Sequence, residues 1–212
     1  MGQAKLNTLI PLGAVLHGPG TLELGGGIKL RKGRTHEVTG ASADMFAVLA
    51  AAKLDQTVLW MGLHRDIITL CPAGLQTYLN VEDLILVEAV SRGELLWAAD
   101  QALRASGGFC VIVDLPDTLS LKESRRLQLA AEQGGGIGVL LLRGPANTSA
   151  AQTRWQCEPC CADPPAWDWT CLKGKNGEAG RWQMTCQGRQ EREQERGQNA
   201  KDTFYLAATA SA

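Results

Sequence analysis

With 212 residues, 45% hydrophobic and 20% charged, the chain has the composition of an ordinary globular protein of one domain plus tails. Its net charge of −1 and pI near 6.3 exclude the strongly basic field that drives nonspecific binding to nucleic acid or anionic lipid. No charged n-region followed by an apolar stretch opens the chain, and no apolar run approaches the ~20 residues of a membrane span, so a cytoplasmic, membrane-free protein is expected.

Residues 1–32 are glycine-rich and weakly patterned, and Leu24-Gly25-Gly26-Gly27-Ile28 reads as a loop leading into the first core strand. From 34 to 144 strand-like and helix-like runs alternate. The strand candidates are Thr35–Thr39, Thr57–Met61, Leu84–Val87, Phe109–Leu115 and Ile137–Leu142. The last two are continuous apolar runs, as in strands covered on both faces. Asp44 to Lys53 is helix-like, and two later helices carry start signals. Ser91-Arg92-Gly93-Glu94 and Ser120-Leu121-Lys122-Glu123 both read as capping boxes. Gly107-Gly108 and Gly134-Gly135-Gly136 stop those helices. Such alternation predicts βαβ units and a mainly parallel sheet with helices on both faces.

After Gly144 the pattern changes. Thr153 to Cys157, Trp167 to Leu172 and Arg181 to Gln187 alternate, and Gly174 to Gly180 reads as a hairpin loop. An antiparallel extension of the parallel sheet is expected. Residues 188–203 are charged and apolar-poor, as in a solvated linker, and Phe204 to Ala207 reads as a final strand. The expected organisation is a loop-rich lead-in (1–32), an α/β core with its β extension (33–187), and a charged linker with a short terminal strand (188–212).

Of seven cysteines, Cys110 lies in an apolar strand and Cys71 stands alone. Cys157, Cys160, Cys161, Cys171 and Cys186 cluster toward the C-terminus. Cys157-x-x-Cys160 has zinc-ligand spacing, but no second pair or nearby histidine completes a set, so reduced thiols and no metal are expected. His17, His36 and His64 form no ligand spacing, and no Ser/His/Asp or Cys/His set suggests nucleophilic catalysis.

The most informative segment follows the first core strand. A phosphate-binding loop has the form G-x-x-x-x-G-K-[ST], whose lysine supplies charge and whose hydroxyl holds Mg²⁺. Gly40 has the place of its first glycine, at the end of a strand and before a helix, followed by Ser42 and Asp44. The three chemical positions read Met45, Phe46 and Ala47. Phe46 is expected to turn into the fold, and the Asp44 carboxylate to cap the helix and repel phosphate. No cofactor and no ATP turnover are expected.

Arg31 to Gly40, Thr57 to His64 and Cys110-Val111-Ile112-Val113-Asp114 resemble the opening, second and Walker B strands of RecA-type cores. Ser124 to Glu132 with Gly138 to Arg143, and Ala151-Gln152-Thr153-Arg154-Trp155, are most similar to the ImuA family, a relative of the division inhibitor SulA. The resemblance runs from about Leu24 to Met184. It implies an α/β, RecA-like P-loop-type core with an antiparallel C-terminal extension. It also locates missing parts. RecA proteins place a catalytic glutamate where Leu63 stands here, and a phosphate-sensing glutamine where Gly144 stands. Of the ATPase groups only Asp114 survives.

By that resemblance the chain is expected to be a non-catalytic accessory protein of SOS-induced translesion synthesis. Its partners would be an ImuB-type Y-family polymerase homologue and, through it, an error-prone C-family DNA polymerase. RecA itself is a further implied partner, and DNA would be reached only through partners. The RecA loops that touch DNA correspond to 116–120 and 144–152, which carry no Lys or Arg. Arg125, Arg126, Arg154, Trp155, Lys173, Arg181 and Trp182 are the candidate partner contacts, against the ordinary readings of solvated charge and packed aromatics. A SulA-like division inhibitor and an ATPase with an unorthodox loop are the alternatives.

Overall fold

The computed structural model describes residues 20–54, 56–144, 147–163, 165–175, 179–187 and 205–211. The expected linker 188–203, His17 and the tip of the hairpin loop after Gly174 lie outside the described residues, as do the Cys186 side chain and most of the lead-in.

The chain enters through β1 (Thr21–Gly25) and β2 (Ile28–Arg31), an antiparallel hairpin that forms its own two-stranded sheet. Sequence reading expected a loop here. The alternation Leu22, Leu24, Ile28 and Leu30 buries one face of the ribbon, and Gly26 and Gly27, both at positive φ, make the turn. The glycines that suggested a loop are the turn between two strands.

There follow β3 (Arg34–Thr39), α1 (Ala43–Ala52), β4 (Val58–Leu63), and the short α2 (His64–Ile67) and α3 (Pro72–Leu75). Next come β5 (Leu84–Ala89), α4 (Arg92–Arg104), β6 (Cys110–Leu115), α5 (Leu121–Gly134) and β7 (Ile137–Leu142). The chain closes with β8 (Thr153–Cys160), β9 (Ala166–Gly174), β10 (Gly180–Gln187) and β11 (Tyr205–Ser211). The nine-stranded sheet runs β11-β10-β9-β8-β3-β7-β6-β4-β5. From β5 to β8 neighbours are parallel, and β9, β10 and β11 continue antiparallel. The protein is therefore a mixed α/β fold with a mostly parallel central sheet and an antiparallel extension.

β6 and β7 are buried along their whole length, which is why their sequences are unbroken apolar runs. Ile112, Val139, Leu141, Trp155 and Trp169 face α1 and the hairpin, while Val111, Val113, Leu115, Leu140 and Leu142 face α4 and α5. α1 is apolar nearly all round because it contacts β3, β7 and β8 and also touches β1. None of the described helices is long and apolar enough to cross a membrane.

The two expected capping boxes differ. At α5, Ser120 Oγ accepts from the Glu123 amide and the Glu123 carboxylate accepts from the Ser120 amide, so the box is complete. At α4, Ser91 Oγ accepts from the Glu94 amide, but the Glu94 carboxylate takes the Val90 amide one residue further back. Glu123 also binds Arg92 of α4 at 2.6 Å, which laces the two helices together. Asp100, buried on α4, is held by Arg104 at 2.9 Å and by Arg126 of α5 at 3.0 Å. Burial alone would raise the Asp100 carboxyl, but the two guanidiniums keep it below the ordinary range.

Arg92 first, and then the Ser120 amide and hydroxyl, pull the Glu123 carboxyl down to about 2 against the opposing effect of burial. A lowered native pKa means that the unfolded chain binds the proton more tightly. The contribution is present above about pH 4.5 and is lost as pH falls toward about 2. Thermal melts between those limits should show a steep acid-side loss of Tm in the native chain and a flatter one in Glu123→Gln. Equal slopes would show that the Arg92–Glu123 contact carries no stability.

Candidate functional site

The carboxyl ends of the parallel strands gather the residues singled out in the sequence. Gly40 leaves β3 at φ +101, and a Cβ there would lie 2.2 Å from the Cys157 carbonyl oxygen of β8. Glycine is required because the neighbouring strand passes over the turn. The loop amides point at that strand. Ser42 N–H donates to the Cys157 carbonyl at 3.0 Å, and Ala41 N–H to the Glu158 carboxylate at 3.3 Å. Two donors that a phosphate-binding loop would present to an anion are held by the protein itself, one of them by a carboxylate.

The sequence placed Asp44 as the cap of this helix, and the structure corrects that: Asp44 does not cap it. Ser42 is the N-cap residue, without a side-chain bond, and Asp44 sits exposed in the first turn. Its carboxyl is raised, first by desolvation and then by the negative charge of Asp114, with Arg143 opposing. The carboxylate that meets the loop is that of Glu158, which local sequence could not single out.

Met45 is half-buried, and Phe46 and Ala47 are fully buried. The Phe46 ring lies 4.6 Å from Trp169 and 5.5 Å from Trp155, and Trp155 lies 5.4 Å from Trp182. Phe46 thus turns into the fold, and joins α1 to β8, β9 and β10. The Trp182 indole N–H donates to the Gly26 carbonyl at 3.1 Å, which anchors the hairpin to the same cluster.

Asp114, at the end of β6, is 4% exposed and accepts two bonds from Arg143, at 2.8 and 3.2 Å. Arg143 follows β7, the strand paired with β6. Leu63 ends β4 half-buried, and Gly144 follows Arg143.

On the opposite face of the sheet a second polar cluster pins the β7–β8 connection. Glu37 and Arg154 are register partners on β3 and β8 and form a buried ion pair at 2.6 Å. Ser149 Oγ also donates to Glu37, and Arg154 donates to the Asn147 carbonyl at 2.6 Å. Lys173 and Lys175 donate to the carbonyls of Ser149 and Ala150, each at 2.6 Å. Burial first, and then Lys175, lower the Lys173 ammonium, with Glu37 opposing.

The candidate partner contacts are therefore scattered. Trp155 is 1% and Arg154 9% exposed, so both are core residues and neither presents a surface. Lys173 is half-buried and holds a loop, and Trp182 is half-buried against the hairpin. Arg181 is exposed and bound to Asp168 at 2.8 Å. Arg126 is exposed but paired with Asp100, while Arg125 is exposed with no ion pair among the described residues. His36 is buried between Thr153 and the Arg31 carbonyl, and His64 pairs with Glu88 at 2.8 Å.

Cys157 and Cys160 lie three apart on an extended strand, so they face opposite sides of the sheet and do not converge on one ion. Among the described residues no group of three or more His, Cys, Asp or Glu is placed to hold a metal. Burial pushes the Cys110 thiol to about 12 and raises Cys157 well above the ordinary range, with the Glu158 charge adding to it.

No family model matches the chain. It is 31% identical over 164 residues to Protein ImuA of Caulobacter vibrioides, in strain NA1000 / CB15N and in strain ATCC 19089 / CIP 103742 / CB 15. The match covers 66% of this chain, which spans 65% of the length of those relatives.

Truncating Phe46 to Ala should cost ~3–5 kcal/mol in chemical denaturation, because the cluster it fills joins four elements. Arg154→Ala leaves a buried carboxylate without its partner and should cost ~3–5 kcal/mol, whereas Glu37→Leu combined with Arg154→Met should cost less than that single change. If the double variant is the less stable, the pair stabilises in its own right.

Proposed function

We propose, from the ImuA family membership that the likeness to the Caulobacter proteins supports, that this chain is a non-catalytic accessory protein of damage-induced mutagenesis and translesion DNA synthesis. It works by docking to other proteins. Its partners are an ImuB-type Y-family polymerase homologue, an error-prone C-family DNA polymerase reached through that homologue, and RecA. DNA is met only through these partners, in the cytoplasm. The core is RecA-like, a P-loop-type scaffold whose nucleotide chemistry has been replaced.

The observation that carries this reading is the occupied loop. The amides of Ala41 and Ser42 are engaged by Glu158 and Cys157, and Phe46 fills an aromatic cluster. A triphosphate needs a clamp for its oxygens and a ligand for its metal. Here the lysine position is apolar, the hydroxyl position is Ala47, and Asp114 is taken by Arg143. Each lost charge-assisted bond to phosphate is worth ~1.5–3 kcal/mol, and ~1.4 kcal/mol is tenfold in affinity. The strand-loop-helix unit of β3 and α1, set inside a parallel sheet, supports the RecA-like reading of the core.

Titration with a fluorescent ATP analogue and Mg²⁺ should give no saturable binding up to roughly 1 mM. Phe46→Lys with Ala47→Thr should lower stability without creating an ATP site, since the loop amides stay engaged. Micromolar saturable binding by the native chain would overturn the non-catalytic reading. A pull-down with the ImuB-type homologue should show binding at concentrations on the order of tens of micromolar. No binding there, together with cell filamentation on overexpression, would favour the division-inhibitor reading instead.

A further inference from the structure

The outer surface of the α4–α5 layer carries large apolar side chains that none of the described residues covers. Trp97 on α4 is 59% exposed, and Leu121 and Leu129 on α5 are 51% and 49% exposed. Leu121, Arg125 and Leu129 follow one another four residues apart, so they line one stripe of α5. The inner faces of both helices are already committed, through Leu95, Ala99 and Leu103 on α4 and Leu127, Ala130 and Ala131 on α5. The outer apolar groups are therefore surplus to the core.

The charge of this surface has a sign. Lys122 and Arg125 are exposed and have no ion pair among the described residues. Three neighbouring carboxylates are paired with guanidiniums: Asp100 with Arg104 and Arg126, Glu123 with Arg92, and Glu132 with Arg34. Glu94 keeps its charge at the start of α4, bonded to the Val90 amide, so on α5 the charges without an ion pair among the described residues are the cations of Lys122 and Arg125, on the helix that carries Leu121 and Leu129. An exposed apolar patch with an aromatic anchor and a charged rim is the composition of a binding surface. The ion pairs between α4 and α5 hold the patch on one rigid layer, so little ordering is needed on binding.

We propose that the outer face of α4 and α5, centred on Trp97, Leu129 and Arg125, docks an acidic segment of a partner protein that carries apolar anchors. The apolar anchors cover Trp97 and the two leucines, and the carboxylates meet Lys122 and Arg125. A second copy of this chain fits less well, because a two-fold contact through this stripe would bring the Lys122 and Arg125 cations of one copy into the same interface as those of the other. The proposal rests on the docking function above and names the surface that performs it.

The test uses the full chain and the purified ImuB-type homologue, with affinity measured by calorimetry at several salt concentrations. Trp97→Ala and Leu129→Ser should each weaken binding by about tenfold or more, the range of a buried anchor. Lys122→Glu with Arg125→Glu should weaken it and flatten its salt dependence, because opposite charges then no longer meet. Leu172→Ser, an exposed position on the β extension, should leave affinity unchanged. All these side chains point outward, so melting temperatures should stay close to that of the parent chain. Native affinity in the Trp97 and charge-reversal variants overturns this surface while leaving the docking function standing. No binding by the native chain overturns both. Self-association of the native chain that Trp97→Ala abolishes, or capture by phosphatidylserine vesicles in place of the protein partner, also overturns the proposal.

Discussion

The pairing of β8 with β3 is the constraint on which the rest of the structure depends. It brings Val38 opposite Trp155 and Thr39 opposite Gln156, so the strand runs past the end of β3 and over the loop that follows. From there the Cys157 carbonyl and the Glu158 carboxylate take the two loop amides. The same strand sets Trp155 beneath α1, where Phe46 reaches it. Aromatic pairs of this kind are worth ~0.5–1.5 kcal/mol beyond the area they bury. One pairing thus closes the loop and builds the aromatic cluster, and it also joins the antiparallel extension to the parallel core.

The buried charges follow the same logic. Glu37 is completely buried and depends on Arg154, its partner in register on β8. A slip of one residue would carry Glu37 to the α1 face and leave its charge uncompensated, so the ion pair penalises the wrong register. Asp114 is served in the same way by Arg143 across the β6–β7 pair. Two buried carboxylates of the central sheet, Glu37 and Asp114, are thus each matched by a guanidinium from the neighbouring strand or its end. On the other side of the sheet from α1, the helical layer of α4 and α5 carries exposed apolar and cationic groups on its outer surface.

The sequence by itself determined the core strands and the two long helices behind them, though not the β1–β2 hairpin. β6 and β7 announced themselves as unbroken apolar runs, and α5 by a capping box that forms as written. The apolar run Met45, Phe46 and Ala47 after Gly40 was equally legible, because composition at a fixed offset from a glycine is a local fact. Tertiary structure alone decided the rest. The Glu158 carboxylate meets Ala41 across 117 positions of chain, and Arg143 meets Asp114 across 29. Trp60 and Trp97 look alike in sequence, yet one is 1% and the other 59% exposed. Arg154 and Trp155, plausible surface contacts by composition, lie in the core because their strand runs between β3 and β9. Periodicity and capping act over a few residues and can be read along the chain. Which carbonyl fills which amide, and which ring meets solvent, depends on strands brought together from distant positions, and only the packed sheet fixes those choices.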